Sequence, residues 1–332
     1  MLKRTALFTL IFSLNTFTMS SEASSTLIFS KNTPNTVAAN VDWKYREGTV
    51  VVHPRDTLMI SSVDSHLYHP LIWKSRYGSV IFHSGNRFKP GLAVNGMNEK
   101  GLVASVLLLK SSTYPVLYGI PVLNTSEWVR YVLDNYQNVQ EVVDDLENYQ
   151  LQAGTARGVS LNYHLVVNDA EGKSAVIEYL DGKVVVHQQE QLTHLALTNT
   201  EYGVATSQIN EYKDFGGNLA IPGGYDSISR FIRAAHYLKR LPRFVSKEEH
   251  VAYAFNGLSD VAQAPGTVTP TQLSVVFDGP SKTIYFRSIN ESAVRVIPLE
   301  NFNFDDLYET LALNVYQHLS GNVSNLFKST VE

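Results

Sequence analysis

The chain has 332 residues, of which 44% are hydrophobic and 17% charged, so it can bury a substantial core and does not read as disordered. Its formal net charge is −4 with no tract of five or more basic residues, which argues against nucleic acid as a partner, because phosphate binding needs clustered Lys and Arg. It has no cysteine, which excludes a disulfide framework and a thiol nucleophile alike.

The start of the chain reads as an export signal. Lys3 and Arg4 form a basic start, Thr5 to Phe17 supply a short apolar run, and Ser21 and Ala23 place small residues at the two positions a signal peptidase reads. Residues 1–23 are therefore expected to be a signal peptide and residues 24–332 a single domain, periplasmic or secreted, with a Gram-negative envelope as the expected setting. Cleavage after Ala23 would leave Ser24 with a free α-amine beside its own hydroxyl, the minimal kit for a nucleophile activated by its own N-terminus. Processing shifted by one residue would put Ser25 there instead. No later run is long enough to span a bilayer, so no membrane span is expected in the mature form.

Short apolar runs divided by turn residues follow: Thr49 to His53, Val80 to Phe82, and Leu102 to Leu109. The last is apolar almost throughout, as in a strand covered on both faces. Ser126 can cap a helix carrying Val129, Val132, Leu133 and Tyr136. A second helical stretch, with Val139, Val142, Val143 and Leu146, lies behind Asn138. Tyr163 to Val167 and Ser174 to Tyr179 read as a hairpin, and Asp181-Gly182 turns the chain into Lys183 to His187. Ile228, Phe231, Ile232 and Ala235 mark a helix starting near Asp226 or Ser227. Ser274 to Phe277 and Thr283 to Arg287 read as a hairpin about Gly279-Pro280, and the tail from Asp305 reads as helical. Strands, then helices, then strands again predict an α+β fold with helices outside packed sheets.

The tightest histidine cluster is Asp64-Ser65-His66-Leu67-Tyr68-His69. A zinc site needs three or four ligands and no second cluster follows, so no metal is expected.

Several stretches in order resemble the choloylglycine hydrolase and penicillin V acylase family, the linear amide C–N hydrolases among the N-terminal nucleophile hydrolases. They are Asn40-Val41-Asp42-Trp43, Trp73 to Val80, Gly96 to Leu102, Trp128 to Tyr136 with Val139 to Val143, Leu197-Thr198-Asn199, and Ser229-Arg230-Phe231-Ile232-Arg233-Ala234-Ala235. They run from about residue 24 to residue 240, and the last third is similar only in its pattern of strands and helices. The resemblance implies a four-layer αββα sandwich of two stacked antiparallel sheets and places Ser24 at the nucleophile's position. It also implies that Asp42 orients the amine, that Asn199 donates to the oxyanion, and that Arg230 stabilises charge near the nucleophile. Read without the family, Asp42 could close a turn, Asn199 could be a turn residue after a strand, and Arg230 could be a surface arginine in a helix's first turn. The chain departs from the family in two places, with serine where cysteine is usual and Ala39 where an arginine stands three residues before the aspartate. Leu108 occupies a position that carries a Tyr or Asn oxyanion partner in some members.

The expected activity is hydrolysis of a non-peptide C–N amide bond in a small N-acyl substrate of penicillin V, bile-salt or N-acyl-amine type, with no metal or organic cofactor. The alternative is a catalytically inactive member that binds N-acylated ligands. A third, an envelope structural protein, would make the ordered matches accidental. The sequence leaves room for a homo-oligomer.

Overall fold

The computed structural model describes residues 24–29, 35–86, 89–242 and 246–331, so the expected signal peptide, residues 1–23, lies outside the described residues. Two large sheets dominate. The first runs in the order Ala196–Leu197, Ser24–Phe29, Thr36–Asp42, Thr271–Asp278, Thr283–Ser288, Glu291–Pro298 and Gly321–Asn322. The second runs Lys183–Gln188, Ser174–Leu180, Tyr163–Asn168, Val103–Leu108, Lys89–Asn98, Ser79–Asn86, Thr49–His53, Leu311–Asn314 and Lys328–Ser329. Neighbours are antiparallel throughout, except for the last pair of the first sheet.

The sheets face each other across an apolar interior in which Val37, Val275 and Phe277 of the first meet Val50, Val80, Phe82 and Met97 of the second. Helices cover the two outer faces. Helices α1 (Trp128–Asn135) and α2 (Val139–Asp144) pack on the second sheet through Trp128, Val129, Val132 and Val142. A short helix, α3 (Tyr202–Gln208), leads toward α4 (Ser227–Lys239), which with α5 (Lys247–Asp260) covers the first sheet through Phe231, Ile232, Ala254 and Leu258. The layers are therefore α, β, β, α.

Local chemistry explains most boundaries. Asp226 and Asn138 accept from the backbone of Ser229 and Glu141 and so start α4 and α2. The cap before α1 differs from expectation. Asn124 caps a 3₁₀ turn at Thr125–Glu127 that runs into the helix, and Ser126 lies inside that turn. Val103–Leu108 is buried on both faces as its apolar run predicts, and α5, which the sequence reading missed, starts on a capping box of Ser246 and Glu249.

The tail is not helical. From Asp305 onward it forms the strands Leu311–Asn314, Gly321–Asn322 and Lys328–Ser329, joined by turns. Leu311, Leu313 and Val315 recur at every second residue, and that alternation puts Leu313 and Val315 into the interior.

The motif Gly96 to Leu102 makes a tight corner. Asn98 Oδ1 accepts from Lys100 N and Leu102 N, while its Nδ2 donates to the carbonyls of Leu133 and Tyr136 at the end of α1. Gly101 sits at φ +84, and a Cβ there would lie 2.6 Å from the Gly279 carbonyl, so the corner requires glycine.

Candidate active site

Strand alternation sorts the two candidate serines. In Ser24–Phe29, Ser25 pairs with Asn40 and Ser24 with Val41, so their side chains leave the sheet on opposite faces. Ser25 faces the helices, is fully buried, and its Oγ accepts from Arg230 Nη1 at 2.6 Å. Ser24 faces the second sheet, half-buried in a cleft with Val41, Asp42 and Trp43 on one side and Phe82, Leu92, Val94, Val106, Leu108 and Tyr163 on the other. Ser24 is thus the serine that a bound molecule can reach.

Two separate elements converge on Ser24. Its backbone N–H donates to Asn199 Oδ1 at 2.7 Å. Its carbonyl accepts from Arg230 Nη1 at 2.6 Å. Arg230 Nη2 donates to the same Asn199 Oδ1 at 2.9 Å, and its Nε donates to the Tyr225 carbonyl at 3.1 Å. Arg230 is completely buried in α4, so it is not the surface arginine that its helix position alone allowed. Because Asn199 Oδ1 accepts from two donors, its amide can point only one way. Nδ2 then faces the second sheet and donates to the Leu108 carbonyl at 2.8 Å. Asn199 therefore bridges the two sheets beside Ser24.

Asp42 ends the strand next to Ser24. Its Oδ1 accepts from Thr271 Oγ1 at 2.6 Å, while Oδ2 is buried with no partner among the described residues. Burial pushes its carboxyl up to about 7, against the pull of the Arg230 guanidinium and the Thr271 hydroxyl. Burial likewise draws Arg230 below the usual guanidinium range, with Asp42 opposing. Desolvation thus outweighs the attraction between these two groups on both sides. A carboxyl whose folded value lies above its unfolded value of about 4 contributes stability below that pH and loses it as pH rises through 7. Asp42→Asn is expected to remove this loss. In urea unfolding of the full chain, wild type should lose up to about 4 kcal/mol relative to the variant between pH 4 and pH 8. Parallel stability curves for the two proteins would contradict it. His53 and His83, which burial pulls down, titrate the same way in both proteins and cancel.

Ala39 lies on the inward face, paired with Thr26 and Val275, and the Thr26 hydroxyl beside it is buried with no partner among the described residues. The cleft has a volume of about 60 Å³, whereas about 10–15 Å³ holds one water, so it admits a slim apolar group. Its rim is closed by Glu47, which accepts from Arg157 Nε at 3.1 Å and Nη2 at 2.7 Å, while that guanidinium stacks over Tyr45 at 4.2 Å. Beyond the Leu108–Asn199 bridge lies a wider groove of about 870 Å³, lined by Lys110, Thr200, Tyr225, Asp226 and Gln263 among others.

Residues 24–312 match the linear amide C–N hydrolases, choloylglycine hydrolase family. The chain belongs to that family. It is 32% identical over 265 residues to a penicillin V acylase of Pectobacterium atrosepticum, covering 71% of this chain and 70% of the relative. A bile salt hydrolase/transferase of Bifidobacterium longum is 22% identical over 328 residues, covering 83% and 95%. Among solved structures, penicillin V acylase from Agrobacterium tumefaciens superposes with a TM-score of 0.79 at 27% identity, covering 92% of this chain and 97% of that one. A variant of conjugated bile acid hydrolase from Clostridium perfringens shares the fold, with a TM-score of 0.73 at 18% identity and coverage of 89% and 98%. The two stacked antiparallel sheets with outer helices are thus the fold of this choloylglycine hydrolase family member.

Sequence reasoning missed Thr271, the Tyr225 carbonyl, Glu47 with Arg157, and the lining from Phe82, Leu92, Tyr163 and Tyr316. These come from segments far apart in the chain, and no local pattern marks them.

Proposed function

We infer that the mature chain is an amidase that hydrolyses the C–N bond of small N-acyl amides through Ser24, with the apolar acyl group in the cleft and the amine toward the wider groove. The observation that carries this is Ser24 itself: its side chain lines an apolar cleft while its nitrogen is held at 2.7 Å by Asn199 Oδ1. The family match and the penicillin V acylase and bile salt hydrolase relatives support the substrate class.

Export and cleavage after Ala23 turn the Ser24 nitrogen into an α-amine with a reference pKa of about 7.7–8.0, so a useful fraction is neutral near pH 7. Donation of one N–H to Asn199 Oδ1 orients the amine and leaves its lone pair for the Oγ proton. As Oγ bonds to the acyl carbon, the carbonyl pair moves onto oxygen, and the second N–H of Asn199 Nδ2 is the donor assigned to it. Collapse expels the amine, which takes the proton from the α-ammonium and leaves an ester on Ser24. Water then attacks the ester, its proton passing to the α-amine, and Oγ recovers that proton as the acid departs. Once ionised, as pH rises through about 7, the Asp42 carboxyl beside this centre favours the ammonium form between the two proton transfers.

A second reading, a binder of N-acylated ligands without turnover, draws on serine in place of cysteine and on Ala39 in place of arginine. Incubating the mature protein with a panel of aryl-acyl, fatty-acyl and bile-acyl amides separates the two. Release of free amine supports the amidase, and saturable binding without release supports the binder.

A further inference from the structure

The second sheet holds a buried charge cluster that the hydrolytic steps do not use. Glu178, on Ser174–Leu180, and His164, on the adjacent Tyr163–Asn168, have side chains that are 0% exposed. His164 Nδ1 donates to Glu178 Oε1 at 2.9 Å, and His187 Nε2 donates to Oε2 at 3.2 Å. Burial alone would raise this carboxyl, but the hydrogen bonds from His164 and His187 outweigh it and hold it at about 2. Glu178 is therefore an ionised group deep in the protein, a costly feature unless its lone pairs are filled.

Its remaining partner points to a role. Tyr202 N donates to the same Oε1 at 2.9 Å. Tyr202 opens α3 three residues after Asn199, and the segment before it belongs to the first sheet. There Leu197 pairs with Thr26, and the hydroxyls of Thr198 and Thr200 bind Ser227 at the start of α4. Glu178 is thus a point where the second sheet grips the loop carrying Asn199. Asn199 itself must span both sheets, from Ser24 N to the carbonyl of Leu108, which pairs with Tyr163 beside His164.

We propose that Glu178, held by His164, is a positioning residue that fixes loop 198–201 at the height where one asparagine side chain reaches Ser24 N and Leu108 O together. A shift of about 1 Å in such a group costs about 10²-fold in rate. The kinetic half of the test rests on the amidase reading, and the exchange half does not.

The experiment compares mature wild type with Glu178→Gln, which removes the charge and keeps the volume, by turnover of the amide panel and by native-state hydrogen exchange. The expected result is a fall in kcat of about 10²-fold per folded molecule with KM within about 3-fold. Amides 199–203 should exchange at least about tenfold faster, while Tyr163–Asn168 and Thr271–Asp278 exchange as in wild type. Unchanged exchange at 199–203, a uniform rise through all elements, or unchanged kcat in an active enzyme would each overturn it. If wild type turns over no amide, the amidase reading fails and the exchange pattern alone decides. If the glutamine variant misfolds, Glu178→Asp, which keeps the charge but shortens the reach, is read by the same criteria.

Discussion

Mature Ser24→Ala is expected to fold as the parent does and to lose amide hydrolysis by at least about 10⁴-fold, the scale on which removing a nucleophile acts. The fold should survive because Ser24 holds its strand through the backbone, by N to Asn199 and O from Arg230, and alanine keeps both contacts. Unfolding in urea and turnover of the best substrate are the paired measurements, and full turnover by a folded variant contradicts the assignment. Ser24→Cys gives the complementary result. With no other cysteine in the chain, it introduces a single thiol, so one equivalent of a thiol reagent should label it and stop the reaction. A few per cent of a thiol is thiolate at pH 7, so this variant should keep or exceed wild-type turnover. Turnover by the cysteine variant alone would mean that the frame is competent and that serine is what silences it.

Arg230→Ala is expected to cost about 3–5 kcal/mol of stability, because it removes one partner from a buried charged network and leaves the others unpaired. The acceptors that lose their guanidinium donor are the Ser24 carbonyl, Ser25 Oγ and the Tyr225 carbonyl, and Asn199 Oδ1 loses one of its two donors. Asp42 loses the cation that lowers its carboxyl and should titrate above 7. Arg230→Lys keeps the charge without the planar fork, so it should recover part of the stability and little of the activity. Urea denaturation reads the first effect and turnover per folded molecule the second. A loss below about 1 kcal/mol in the alanine variant would show that the network is not holding the strand ends together.

How far the site could be read in advance depended on what each residue touches. Ser24, Asp42, Asn199 and Arg230 stood out through short local motifs, and the fold brings three of them into one hydrogen-bonded group with Asp42 at its edge. Strand alternation then separates Ser24 from Ser25, a distinction that needed the pairing with Val41 and Asn40. The division of labour within Asn199 was not legible: only the second donor, from Arg230, fixes which end of the amide faces Ser24. Thr271 and Glu178 were invisible for a similar reason, since each acts across more than twenty residues of sequence on a partner in another strand or helix. Among the elements, α2 and α4 announced themselves through their caps and periodicity. The C-terminal tail misled because a two-residue alternation of Leu311, Leu313 and Val315 was read as part of a helix.

On the proposed function, removal of residues 1–23 makes Ser24 both nucleophile and base. The most direct test is intact and peptide mass spectrometry of protein purified from its native host, then mixed briefly with a slow N-acyl amide and quenched in acid. The predicted result is a mature chain beginning at Ser24 whose N-terminal peptide gains the mass of the acyl group, with the adduct lost on longer incubation. A chain that retains its leader or is trimmed past Ser25, or one that begins at Ser24 and neither gains an acyl group nor releases amine, would contradict it.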